Sequence, residues 1–90
     1  MNLQKQKTTI CFKKAQSLIT KISQMIEKDE YCINIMQQNL AVIGLLKSAH
    51  QSLLENHLAT CFKHAIDSGN YRRKKAMADE ILKVTKLYNK

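Results

Sequence analysis

Three side chains in this sequence, those of Cys32, His57 and Cys61, could together bind a metal ion. Thiolates and an imidazole are the ligands that soft, thiophilic metals prefer. His57 and Cys61 are four residues apart. Positions i and i+4 of a helix lie on the same face, so both side chains could reach one ion.

Cys32 precedes His57 by 25 residues. If one straight helix contains both residues, a rise of about 1.5 Å per residue separates them by about 37 Å. One chain then cannot close the site. Either the helix folds back, or Cys32 comes from a second subunit that lies antiparallel to the first.

Helices must position these residues, because the sequence has no proline and only two glycines, and an all-α fold is therefore predicted. We expect a first helix over about 8–28, with Ala15, Leu18, Ile22 and Met25 on one apolar stripe. A long second helix is expected from Tyr31 or Cys32 to Ile66. The segment 67–70 predicts a turn, with Gly69 just past one helix and Ser68 or Asn70 capping the next. A short third helix follows, with an apolar seam that comprises Met77, Ile81, Val84 and Tyr88.

The size and composition predict one helical domain over 1–90, which contains the candidate metal ligands and in which 1–7 are flexible. A chain of 90 residues buries a modest core, so we expect it to oligomerise. Its 44% apolar content is too high for a disordered chain. No apolar run is long enough to cross a membrane. An odd number of cysteines and the lack of a secretory signal predict a cytoplasmic protein with free thiols.

Positive charge is concentrated in two regions of a chain whose formal net charge is +8. The first 26 residues contain no acidic residue and five lysines, which are Lys5, Lys7, Lys13, Lys14 and Lys21. The second region is Arg72-Arg73-Lys74-Lys75. Both regions could contact a polyanion such as nucleic acid. The alternative is that they are solvated helical faces that keep the protein soluble.

These features resemble the copper-sensing operon repressor family of bacteria. The resemblance extends over residues 12–70, and it is carried by Tyr31-Cys32 at the start of a long helix and by the His57-x-x-x-Cys61 pair. It implies a three-helix protomer with a long second helix and an antiparallel dimer with a four-helix bundle core, usually paired into a dimer of dimers. It also implies that Cys32 of one protomer joins His57 and Cys61 of its partner.

Within this family, the Cys-His-Cys pattern resembles the branch that senses copper(I). Two thiolates and one imidazole suit a soft ion of low coordination number, whereas zinc would seek a fourth ligand. The resemblance implies that Tyr31 helps to orient the histidine, together with a glutamate of the third helix that we assign to Glu80. The third cysteine, Cys11, is expected to be an incidental thiol.

The resemblance also implies a repressor that binds operator DNA through basic side chains, for which Lys13, Lys14, Lys21 and Lys47 are the candidates. The first helix departs from the family pattern, since it has lysines where the family has arginines and lacks the family's glycines. Lysine does not replace arginine at a bidentate contact. This departure keeps open a metal-binding helical protein without DNA recognition. A thiol- or persulfide-sensing repressor that uses Cys32 and Cys61 is a second alternative.

An enzyme is not expected. A nucleophilic cysteine needs an activating histidine and a third, orienting group in a concave site. The basic, glycine-poor helical sequence predicts no such pocket, and we expect neither a small-molecule substrate nor a membrane partner.

Overall fold

The computed structural model describes residues 3–88, and it confirms the all-α prediction. The helices are α1 (Leu3–Glu27), α2 (Cys32–His57), a π-helical segment (Leu58–Phe62), α3 (Lys63–Asp67) and α4 (Tyr71–Tyr88). No strand occurs within the described residues. None of the helices in that range is both long and apolar enough to cross a membrane.

The first helix is longer than predicted, because residues 3–7 continue it toward the N terminus. Part of the flexible segment expected over 1–7 is thus helical, while residues 1 and 2 lie outside the described residues. The second helix was predicted to run to Ile66, and successive helical segments do extend from Cys32 to Asp67. The segment Leu58–Phe62 has π-helical hydrogen bonding.

Contacts divide the chain into two compact units, the first ending at Glu55 and the second beginning at Asn56. In the first unit, less exposed residues recur at alternating spacings of three and four. In α1 they are Thr8, Cys11, Ala15, Leu18, Ile22 and Met25. In α2 the seam consists of Ile35, Gln38, Val42, Leu45, Ala49 and Ser52. This is the spacing of paired helices that wrap around one another, and it confirms the predicted stripe on α1.

Small residues lie at the centre of this seam. Ala15 is 2% exposed and Ala49 is fully buried. Short side chains let two helix axes approach closely, so the seam of this unit is tight but holds little apolar volume. Among the described residues, no large side chain is fully buried.

A tight turn after α1 leads into α2. The Glu30 N–H donates to the Met25 carbonyl at 3.0 Å, and the Asp29 N–H donates to the Ile26 carbonyl at 3.1 Å. These two bonds form a Schellman motif, which requires a residue in the left-handed region. Asp29 occupies that position with φ of 54°. The turn thereby fixes where α2, and with it Cys32, begins.

The apolar side chains of α2 are divided between partly buried and exposed positions. Ile35 and Leu54 are partly buried, but a second stripe is exposed. Its members are Ile33, Met36, Leu40, Ile43, Leu46 and Leu53, which are between 41% and 65% exposed. A chain of this size thus leaves a long apolar stripe of α2 uncovered.

In the second unit, α3 contacts α4. Ala65 is fully buried, and Met77 and Ile81 of α4 are partly buried, in agreement with the predicted seam. Val84 is 40% exposed, and the side chain of Tyr88 lies outside the described residues. The predicted turn is confirmed: Gly69 has φ of 71°, and the Arg73 N–H donates to Asn70 Oδ1 at 3.2 Å. Asn70 is therefore the residue that caps α4.

Candidate functional site

The two ligand candidates His57 and Cys61 lie at a change of helix type. His57 is the last residue of α2 and is half-buried, while Cys61 lies in the π-helical segment and is exposed. Both belong to the unit that begins at Asn56. In a π-helix the hydrogen bonds run from i to i+5, and such turns are frequent at functional sites. The segment contains neither proline nor glycine, so no simple sequence signal marks it.

Thr60 is a residue of this site that the sequence did not reveal. Its hydroxyl donates to the Asn56 carbonyl at 2.7 Å, which is the i−4 back-bond that tends to bend helices. The same oxygen lies 3.7 Å from Cys61 Sγ, within range of a hydrogen bond to sulfur. Because a hydroxyl has one hydrogen, Thr60 can donate to the carbonyl or to the sulfur at any moment. Thr60 therefore links the backbone of the π-helical segment to the Cys61 side chain.

Cys32 is the first residue of α2 and is exposed. The carbonyl of the preceding residue, Tyr31, accepts hydrogen bonds from Asn34 N–H at 3.0 Å and from Ile35 N–H at 3.3 Å. Tyr31 thus initiates the helix through its backbone. Its side chain is 70% exposed and is free to contact another molecule.

The remaining candidates are distributed over both units. Glu80 is exposed on α4, and its side chain makes no hydrogen bond or ion pair with the described residues. Cys11 is half-buried on the seam of α1, and all three cysteines are free thiols. Between residues 3 and 88, no three His, Cys, Asp or Glu side chains form a group that could hold a metal ion.

Three of the four lysines proposed to contact DNA lie together. Lys13, Lys14 and Lys21 line one groove of about 530 Å³ in the first unit, together with Ser17, Leu18 and Leu45. Lys47 is exposed on α2 and is not part of that lining. These three lysines, which we call the lysine rim, share the lining of the groove with Leu18 and Leu45, and their positive charge suits an anionic partner.

Comparisons with known proteins agree with these features. Residues 4–86 match the family described as metal-sensitive transcriptional repressor. The chain is 38% identical over 74 residues to the copper-sensing transcriptional repressor CsoR of Mycobacterium ulcerans, a match that covers 82% of this chain and 61% of that protein. It is 32% identical over 87 residues to the copper-sensing transcriptional repressor CsoR of Bacillus subtilis, with 97% and 83% covered.

A further relative is the copper-sensing transcriptional repressor RicR of Mycobacterium tuberculosis, which is 35% identical over 57 residues, or 63% of this chain and 59% of that protein. The chain thus spans about three fifths of the length of the M. ulcerans and RicR relatives. All of these relatives are named as regulators rather than enzymes, in agreement with the sequence-based prediction. The match over residues 4–86 shows that the chain belongs to the family of metal-sensitive transcriptional repressors.

Proposed function

We propose that this chain is a cytoplasmic, copper(I)-responsive repressor of transcription. Its copper-free form binds operator DNA, and copper(I) bound by Cys32, His57 and Cys61 releases the DNA. The observation that carries the proposal is the donor set: two exposed free thiols and an imidazole, with His57 and Cys61 on successive helical turns. Relatives named as copper-sensing repressors support the same assignment.

The donor set fits copper(I) better than the common divalent metals. Copper(I) is a soft ion that accepts three ligands of this kind, whereas zinc in a structural site takes four. Tyr31 and Glu80 are the proposed partners that orient the His57 ring. A ligating histidine usually donates its other ring N–H to such a group.

Two subunits form each site in this proposal. Cys32 and His57 are the first and last residues of α2. On a straight helix they are about 37 Å apart, far beyond the reach of their side chains. An antiparallel dimer brings Cys32 of one protomer to His57 and Cys61 of the other. The exposed stripe of α2, with Met36 at 58% and Leu40 at 65% exposure, is the proposed interface of the four-helix core.

DNA binds along α1 in the copper-free state. The lysine rim of Lys13, Lys14 and Lys21, together with Lys47, contacts phosphates of the operator. Copper(I) favours a second arrangement of the dimers that binds DNA more weakly. The coupling is reciprocal, so DNA weakens copper binding by the same factor as copper weakens DNA binding.

The test is DNA binding with and without copper(I). Copper(I) is expected to release the wild-type protein from the DNA that flanks its own gene, and to leave Cys32→Ala and Cys61→Ala bound. Cys11→Ala is the matched control, because it also removes one thiol but lies outside the proposed site. Release of the Cys32→Ala variant, or failure of copper to release the wild type, would contradict the proposal.

A thiol sensor is the second candidate, favoured by the free, exposed thiols of Cys32 and Cys61. A disulfide or polysulfide between these cysteines needs no histidine. If the chain is a thiol sensor, His57→Ala should still respond to a persulfide donor. If the chain is a copper sensor, His57→Ala should bind copper(I) more weakly than the wild type. Copper binding without any binding to DNA would favour the third alternative, a metal-binding protein that lacks DNA recognition.

A further inference from the structure

We propose that Arg72, Arg73, Lys74 and Lys75 form a second contact surface for the phosphate backbone of duplex DNA. We name these residues the α4 basic cluster. The inference rests on the proposed function and extends it, since the cluster lies outside the α1 lysines assigned to the operator. Its role is to add affinity that does not depend on the base sequence.

Among the described residues, the cluster has no partner. Arg72, Arg73 and Lys75 are exposed, and Lys74 is half-buried. Over residues 3–88, no hydrogen bond or ion pair engages the four side chains. Asp79 follows Lys75 by four residues, a spacing at which ion pairs form on helices, yet the two do not pair.

The α4 basic cluster lies at the N terminus of its helix, where positive charge disfavours helix formation. The first turn of α4 contains no acidic residue, and cations at a helix N terminus are repelled by the helix dipole. Asn70 caps this turn through the Arg73 N–H, but it brings no negative charge. Nothing local thus stabilises four adjacent cations here. An external polyanion would stabilise them.

The residue types and their arrangement favour nucleic-acid phosphate. Arginine binds a phosphate through two parallel hydrogen bonds, and lysine adds a point charge. Tyr71 lies beside the cluster, is 75% exposed and can donate its hydroxyl to a phosphate oxygen. A second basic surface in a member of a transcriptional repressor family is most simply explained by one long partner that contacts both.

An anionic membrane surface fits this arrangement less well. Four consecutive residues of an α-helix point to nearly all sides of its axis, at 3.6 residues per turn. A helix that lies in a membrane interface instead needs its cations on one face and its apolar residues on the other. The cluster therefore matches a partner that can wrap around the helix end, as the two backbones of a groove do.

The experiment measures binding of the full chain to the duplex flanking its gene and to an unrelated duplex, over a range of salt concentrations. The test variant combines Arg72→Gln, Arg73→Gln, Lys74→Gln and Lys75→Gln. We expect it to bind both duplexes at least tenfold more weakly near about 100 mM salt, with a salt slope lower by about two to four units. The matched control, Lys83→Gln with Lys86→Gln on the same helix, is expected to change affinity less than twofold.

Two further variants make the outcome decisive. Arg72→Lys with Arg73→Lys keeps the charge and is expected to keep most of the salt slope, which separates loss of charge from loss of folding. Lys13→Gln with Lys14→Gln tests the α1 surface independently.

The inference is overturned if the α1 variant weakens DNA binding while the cluster variant, still helical by circular dichroism, binds both duplexes like the wild type. The proposed function would survive that result. Binding to phosphatidylserine vesicles is measured in parallel. The inference is also overturned if the cluster variant binds these vesicles more weakly than the wild type but binds both duplexes equally well. A wild-type protein that binds neither duplex would refute the proposed function itself.

Discussion

Mixing two inactive variants provides the sharpest test of a shared metal site. Cys32→Ala and Cys61→Ala each remove one thiolate from every site of a pure dimer. In a mixed dimer, one site combines Cys32 of the Cys61→Ala chain with His57 and Cys61 of the Cys32→Ala chain, and this site is complete. The other site lacks both cysteines. Random mixing in equal amounts makes about half of the dimers mixed, so about one quarter of the wild-type sites should return.

The length of α2 explains why residues of two chains are needed to complete one site. α2 has 26 residues, with Cys32 at one end and His57 at the other. At about 1.5 Å per residue, a straight helix of that length holds them about 37 Å apart, whereas metal–ligand bonds are about 2 Å long. No rotamer change spans that gap. A site that returns on mixing must therefore combine residues of two chains.

The assay is copper(I) titration against a competing chelator after the variants are unfolded together and refolded. Cys61→Ala mixed with His57→Ala is the matched control, since both ligands then belong to the same chain segment and every site stays incomplete. Recovery of about one quarter in the first mixture and none in the control is expected. If folded dimers in the first mixture recover no site, the intersubunit hypothesis is wrong.

Three other predictions concern single positions. Asp29→Gly should be more stable than Asp29→Ala by about 1 kcal/mol in urea unfolding at equal protein concentration, because φ is 54° at this position and glycine tolerates a positive φ. Both variants lose the same carboxylate, so the comparison isolates the backbone effect. Equal stabilities would contradict this prediction. Gly44→Ala should stabilise α2 by about 1 kcal/mol, since a Cβ at Gly44 would meet no atom within 4 Å; a lower melting temperature would indicate that another subunit packs there. Thr60→Val should weaken copper(I) binding about tenfold, whereas Thr60→Ser should not, because only valine removes the hydroxyl beside Cys61 Sγ. If both variants bind copper(I) with the same affinity, the contact between this hydroxyl and Cys61 Sγ does not support metal binding.

Much of the fold followed from local patterns in the sequence. The absence of proline and the apolar spacing predicted helices. The turn at 67–70 was predicted with Gly69 past one helix and with Ser68 or Asn70 as the cap of the next, and the structure selects Asn70. Such features depend on the backbone preferences of a few adjacent residues, which the sequence shows directly. For the turn after α1, the sequence predicted only that one helix ends near residue 28 and that the next begins at Tyr31 or Cys32, because an aspartate in the left-handed region is not the usual signal of such a turn.

The ligand candidates were also visible in the sequence, because His57 and Cys61 recur at helical spacing and Cys32 shares their chemistry. Their separation along α2 already required two chains or a folded-back helix. Membership of the family of metal-sensitive transcriptional repressors agrees with a metal-responsive chain, and the site shared by two subunits stays a prediction. The π-helical segment around Cys61 and the contact with Thr60 were not visible, since a change from i+4 to i+5 bonding leaves no pattern in residue types.

Tertiary structure decided which apolar residues are buried. The sequence of α2 has apolar side chains around much of its circumference, so its periodicity alone did not separate one stripe from another. In the folded chain the stripe with Val42 and Ala49 is buried, where short side chains allow a close approach, and the stripe with Met36 and Leu40 is exposed. That choice depends on residues far apart in the chain that meet only after folding, and it determines which face of α2 is available to a partner.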